Sequence, residues 1–280
     1  MTKQVGATGA LAAILLTACA PATSETMPAE GPHPKETGIV SLNPCADAIL
    51  AEVAPERLMA VSHYSHDPDS ASMDVALARR FPATSGAAEE IAALAPDVVV
   101  AGTFLPPATE QALRRMGLRV VKIGSIASVE DARAQVRELA ALAGRQDAGE
   151  ALVARIDAAL ADAAPDPSGP EKPVPALIWQ AGGLVPGEAT LVSDLLAHTG
   201  FTNFSVGRGL GQGAVVPLED VLADPPSVVL NAGAGRMQSH PALAVLADRT
   251  EPFDTRLTWC GGPTIPQAAG RLAEIWRELR

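Results

Sequence analysis

Short runs of consecutive apolar residues alternate along the chain with stretches in which apolar positions recur every three or four residues. The first kind reads as strands buried on both faces of a parallel sheet, the second as amphipathic helices. Strands are expected at 38–42 (GIVSL), 57–62 (RLMAVS), 97–101 (DVVVA) and 118–123 (LRVVKI), with helices at 47–53, 71–80, 91–94 and 109–116. Breakers stand where the elements end: Asn43-Pro44, Phe81-Pro82, Pro96 and Gly117. From Val129 to Ala164, behind Ser128 as N-cap, nearly every residue is a strong helix former and only Gly144 interrupts. That predicts one long helix, or two in line. A proline-rich segment at 164–175 ends it, and the alternation resumes with strands at 176–179, 227–230 and 255–259 and helices at 189–198, 218–222, 241–247 and 265–279. The predicted architecture is α/β: two Rossmann-like lobes with parallel sheets, at 38–127 and 171–280, joined by a long helix and linker at 128–170.

One phrase occurs twice. Residues 89–102 read EEIAALAPDVVVAG and residues 219–232 read EDVLADPPSVVLNA. They align without a gap, so that Glu89 meets Glu219, Pro96 meets Pro226 and Val98-Val99 meets Val228-Val229. Each copy is a short helix feeding a buried strand, and each lies in its own half. The repeat therefore argues for two similar lobes rather than one enlarged sheet.

The front of the chain does not belong to this pattern. Lys3 precedes an apolar stretch at 5–16, and LTAC closes it, which is the layout of an export signal over residues 1–18. The stretch falls short of the ~20 residues of a spanning helix. Leu16-Thr17-Ala18-Cys19 resembles the lipobox of bacterial lipoproteins, which implies cleavage before Cys19 and acylation of its sulfur. Ordinary cleavage at Ala20-x-Ala22 is the alternative. Residues 19–37, rich in Pro, Thr, Ser and Glu, read as a solvated tether. The mature protein is expected in the periplasm or cell envelope, touching the membrane through a lipid anchor alone. A formal charge of −11 with no basic cluster speaks against nucleic-acid partners.

Beyond Cys19 only Cys45 and Cys260 remain, and neither has the CxxC partner of a zinc site. In an exported chain two lone thiols invite a disulfide. Both are expected after strands whose ends face the space between the lobes. A bond across that space, two separately buried thiols, and contact with a soft ligand all stay open.

The phrases GIVSLNPCADAIL, MAVSHYSHDP, EEIAALAPDVVVAG and LTWCGGP, in this order around a helical connector, resemble periplasmic substrate-binding proteins of the vitamin B12 and ferric-siderophore type. The resemblance runs from about Gly38 to the C-terminus. It implies a non-catalytic binding subunit that carries a metal chelate, an iron-siderophore or a corrinoid, to the ABC permease of an importer. It also implies that Glu89 and Glu219, each opening a short helix, dock into arginine pockets on that permease. Such a role suits a carboxylate held at a helix N-terminus and read by a two-pronged guanidinium.

Ligands of open α/β lobes bind beyond the carboxyl ends of the strands. There the sequence places Asn43, His63, Tyr64 and Phe104 in the first lobe and Trp179, Arg208, Arg236 and Trp259 in the second. Aromatic faces suit a large flat chelate, and guanidinium groups suit carboxylate, catecholate or hydroxamate oxygens. Tyr64 matches the tyrosine-bearing segment of vitamin B12 binders, whereas Gly102 and Ala181 stand where that pocket has rings.

Two other classes compete. His63 and His66 make half a metal site, and His33 lies in the tether, so direct metal-ion ligation lacks ligands. No cofactor is implied, because the GRGLGQG segment neither follows a strand nor opens a helix. An enzyme would need a nucleophile elbow, and Gly124-Ser125 lacks its second glycine.

Overall fold

The structure, a computed structural model, describes residues 1–2, 37–165 and 172–279. Residues 3–18 of the signal, Cys19 and nearly all of the tether, together with residues 166–171 of the linker, lie outside the described residues.

The first half contains β1 (Ile39–Ser41), α1 (Pro44–Val53), β2 (Leu58–Ser62), α2 (Val75–Ala78), β3 (Ala83–Thr84), α3 (Ala88–Leu94), β4 (Val98–Gly102), α4 (Pro107–Arg115) and β5 (Arg119–Ile123). Its parallel sheet runs β3-β2-β1-β4-β5. After α5 (Val129–Leu142) and α6 (Gln146–Ala163), the second half contains β6 (Val174–Gln180), β7 (Leu184–Val185), α7 (Leu191–His198), β8 (Phe201–Asn203), α8 (Phe204–Gly207), β9 (Ala214–Val215), α9 (Leu218–Ala223), β10 (Val228–Ala232), β11 (Thr250–Pro252) and α10 (Thr264–Glu278). Its parallel sheet runs β11-β10-β6-β8. Reversed, this order is β8-β6-β10-β11, which corresponds strand for strand to β2-β1-β4-β5. The repeated phrase is thus α3–β4 in one sheet and α9–β10 in the other, each strand lying beside the central strand of its half.

The apolar strands are buried on both faces for a visible reason. Val40, Val99 and Val120 pack with Ile91 of α3 and Leu113 of α4 on one side of the first sheet. Ile39, Val98, Val100 and Ile123 pack on the other side with α1, α5 and α6. That second cluster continues without a break to Ala176, Ile178, Val228 and Leu230 of the second sheet and to Leu272 and Trp276 of α10. At about 1.5–3 kcal/mol for each fully buried aliphatic side chain, the shared cluster makes the helical layer a stiff joint between the sheets.

The sequence expectations needed four adjustments. The connector is helical but folded: Gly144, at φ +67°, turns the chain back. Arg133 then pairs with Asp157, and Arg137 with Glu150, across an antiparallel hairpin. The helix at 71–80 shortens to α2, because Asp74 caps Leu77 N–H and Pro82 cuts off continuation. The strand at 255–259 is a single tight turn, Thr255–Leu257, capped by the Asp254 side chain on Arg256 N–H, and the edge strand is β11 instead. Strands β3, β7, β8 and β9 were not expected. Each has three residues or fewer, too short to show a period.

Candidate functional site

Three side chains reach the cleft from the carboxyl ends of the first sheet. Asn43 caps α1, its Oδ1 accepting from Cys45 N–H (2.9 Å) and Ala46 N–H (3.2 Å). Pro44 follows at the first helical position, where a missing N–H costs nothing. Chain closeness explains Gly102 beside it: a Cβ there would fall 2.7 Å from Asn43 Nδ2. Tyr64 stands on a one-turn 3₁₀ helix, His63–His66, at the end of β2. Phe104 follows β4 and is 92% exposed. These residues line a cavity of about 650 Å³ with His63, Thr84 and Leu105.

An adjoining cavity of about 400 Å³, which also touches Pro44, is lined from the second half by Gln180, Ala181, Leu184, Thr255, Arg256, Trp259 and Cys260. Its first-half wall is Cys45 and the segment Asp69, Ser70, Ala71 and Ser72. Cys45 and Cys260 are joined as a disulfide across this cavity, with Cα atoms 5.1 Å apart. The two glycines that follow let the second half approach so closely. A Cβ on Gly261 would lie 2.7 Å from Ala132 Cβ, and one on Gly262, at φ +81°, would lie 2.6 Å from Ile49 Cγ1.

Three of the eight expected ligand residues stand elsewhere. Trp179 is wholly buried, its indole N–H donating to Val216 O at 3.0 Å, so it is a core residue of the second half. Strand β6 runs one residue past it to Gln180, and the period of two turns its ring away from the cleft. Arg208 pairs with Asp224 and lies 4.2 Å over the Phe204 ring, in a separate groove along β8. Arg236 lies in another groove, with Glu219, Met237 and His240. The arginine of the cleft is Arg256, which sequence reasoning missed because it assigned 255–259 to a strand. Its Nε reaches Asp254 Oδ2 at 2.9 Å and its Nη2 the same oxygen at 2.5 Å. The pair holds the Asp254 carboxyl below its ordinary range and raises the guanidinium.

The two histidines differ. His66 Nε2 donates to Ala78 O (3.1 Å) and Phe81 O (3.2 Å), which ties it to the fold. His63 is exposed, with Nδ1 donating to Thr84 O at 3.3 Å and its ring centroid 4.1 Å from that of Tyr64. Among the described residues no group of three or more His, Cys, Asp or Glu side chains is arranged to hold a metal ion.

Glu89 and Glu219 are both the second residue of their helices, α3 and α9, and both are exposed. Neither helix has a side-chain cap. The neighbouring Glu90 differs, since it accepts from Ser85 Oγ at 2.6 Å and Ser85 N–H at 3.0 Å.

Comparison with solved structures shows the same fold. The apo periplasmic heme-binding protein RhuT of Roseiflexus sp. RS-1 is 22% identical with a TM-score of 0.67, covering 87% of this chain and 98% of its own. A periplasmic heme-binding protein of Pseudomonas aeruginosa gives 22% and 0.66, covering 86% and 92%. The periplasmic vitamin B12 binding protein BtuF of Vibrio cholerae gives 18% and 0.66, covering 87% and 97%. A search of curated protein sequences finds no match. The sequence profile described as "Periplasmic binding protein" matches residues 39–250, three quarters of the chain, and the chain belongs to that family.

Proposed function

We propose that the protein binds a ferric tetrapyrrole of the heme type in the cleft and delivers it to an ABC permease. The observation that carries this reading is the placement of aromatic rings. Among the described residues the exposed aromatic side chains are Tyr64 (51%), Phe104 (92%) and Trp259 (53%), and all three line the two adjoining cavities. Exposed rings cost solvation free energy unless a ligand covers them, and flat faces from both halves fit a flat macrocycle.

Tyr64 supplies the chemistry. A phenolate oxygen is a hard anionic ligand known to hold heme iron, and this is the chain's only tyrosine. Arg256, at the rim on the side of Trp259, offers a guanidinium to a peripheral carboxylate. The heme-binding proteins among the similar folds support this reading over the iron-siderophore or corrinoid expected from sequence. Glu89 and Glu219 would then dock the loaded protein on the permease. Acylation at Cys19 would hold it at the membrane.

The test is a titration of the mature protein with hemin, aquacobalamin and a set of ferric siderophores, read by visible absorption and thermal shift. Hemin is expected to give a saturable spectral change and a rise in Tm; a ligand at 100 times its Kd adds about 2.7 kcal/mol. Tyr64→Phe should weaken hemin binding and alter the spectrum. Stabilisation by cobalamin or a siderophore with none by hemin would overturn the heme assignment.

A further inference from the structure

A buried carboxylate lies beneath the turn that carries Tyr64. Asp47, the fourth residue of α1, is wholly buried. Its Oδ2 accepts from Ser62 N–H at 2.9 Å and from Ser65 Oγ at 2.7 Å. Its Oδ1 is buried as well, on a carboxyl whose ionised form the Ser41 hydroxyl also favours. Ser62 is the N-cap of the turn, and Ser65 is its third residue, so one oxygen grips the turn on both sides of His63 and Tyr64. The remaining side chains of the turn are tied as well, His63 to Thr84 O and His66 to Ala78 O and Phe81 O. His63 and Tyr64 both line the cleft, but His63 is tied to Thr84 O, whereas the Tyr64 phenol makes no such tie.

We infer that Asp47 is the positioning residue for Tyr64: through Ser62 and Ser65 it fixes the turn that aims the phenol into the cleft. The inference rests on the proposed role of Tyr64 for its functional meaning, but its geometric content does not depend on any ligand. A carboxylate is a costly choice for holding a turn in an apolar surround, since burial pushes Asp47 up to about 7. A hydrophobic residue at this buried helix position would carry no such cost. It would, however, leave Ser62 N–H and Ser65 O–H without their acceptor. The same turn of α1 holds Cys45, whose bond to Cys260 ties it to the second half. Tyr64 is therefore referenced, through three consecutive odd positions of one helix start (Asn43, Cys45 and Asp47), to both walls of the cleft.

Because the chain has one tyrosine, selectively ¹³C-labelled tyrosine gives a single ring signal that reports Tyr64 in the ligand-free protein. Three variants are compared with wild type. Asp47→Asn keeps an oxygen acceptor for Ser62 and Ser65, and its ring signal should match wild type. Asp47→Ala removes the acceptor, and its signal should shift or broaden. Ser65→Ala cuts one of the two ties and is expected to fall between, which keeps the test alive should Asp47→Ala fail to fold. With hemin added, Asp47→Ala should bind about tenfold more weakly or worse, with the spectrum moving toward that of Tyr64→Phe, while Asp47→Asn stays near wild type. A lowered Tm in Asp47→Ala and Ser65→Ala with an unchanged tyrosine signal would overturn the inference, leaving Asp47 merely structural. Failure of hemin to bind wild type would instead sink the heme reading, while the ligand-free tyrosine signals would still decide the positioning role.

Discussion

Cys45, the second residue of α1, is bonded to Cys260, 215 residues later, so the first helix of one half is covalently stitched to the loop that opens the last helix of the other. Both half-cystines line the cleft. In the chain-entropy account, a closure of this length restricts the unfolded chain by about 5 kcal/mol. We expect Cys45→Ser plus Cys260→Ser to lower the free energy of urea unfolding by up to that amount. Thiol counting on unreduced, denatured wild type should find neither of these two free. An unchanged unfolding midpoint in the double variant would show that the bond does not constrain the chain.

The glycines after Cys260 should be intolerant in a graded way. Gly262→Ala meets both a positive φ and Ile49, and Gly261→Ala meets Ala132 and Ile126. Each is expected to cost about 1–3 kcal/mol. Gly270, in α10 with nothing within 4 Å of an added Cβ, supplies the opposite sign. Gly270→Ala should stabilise by about 0.5–1 kcal/mol, since alanine loses less backbone entropy in a helix. Denaturant unfolding of the three variants checks both directions.

These sites show what was legible in the chain. Central strands announced themselves because a parallel strand covered on both faces needs a continuous apolar run, as in Val98, Val99 and Val100. Edge strands did not, because an edge tolerates Pro and Glu: β11 reads TEP. The segment TRLTW mimicked a strand by composition, yet the Asp254 cap and the Thr258 hydroxyl on Thr255 O (2.7 Å) wind it into a turn. That single misreading hid Arg256. Tyr64 and Phe104 were readable because they follow β2 and β4, and strand ends in this fold become cleft walls; Trp259 reaches the cleft from the turn that replaces its expected strand. Trp179 was not readable, because one more residue of strand decides which face a ring occupies. Asp47 gave no signal at all, since an acidic residue in a helix's first turn is ordinary and only burial distinguishes it.

Stability should carry the mark of Asp47. Its carboxyl is raised from 3.8 to about 7 by burial, against which the Ser41 and Ser65 hydroxyls and Ser62 N–H pull down. The folded state therefore holds a proton that the unfolded chain releases. The favourable contribution is complete below about pH 4, declines as pH rises through that window, and is lost above about pH 7. Between pH 5 and pH 8 the decline from this group amounts to about 3 kcal/mol. Asp47→Asn has no such titration, so the stability of wild type relative to the variant should fall by that amount over the same range. Urea unfolding of both proteins at pH 5, 6, 7 and 8 measures it; parallel curves would contradict a proton held at Asp47.

Docking makes the sharpest separation between binding and delivery. Glu89 and Glu219 sit at the second position of corresponding helices, exposed, each helix leading into the strand next to β1 or β6 of its half. Both lie outside the cavities lined by Tyr64, Phe104 and Trp259. Reversing a charge in a helix's first turn costs only about 0.3–1 kcal/mol through the helix dipole, so Glu89→Arg plus Glu219→Arg should stay folded and keep its hemin affinity. If the proposed arginine pockets receive them, two arginines would instead exchange attraction for repulsion at both contacts. Uptake through the cognate permease is therefore expected to vanish in the double variant and to be partial in each single one. Proteoliposome uptake and equilibrium hemin binding, measured on the same preparations, give the answer. Undiminished uptake in the double variant would remove the docking role, and lost hemin binding would show that the two glutamates shape the cleft instead.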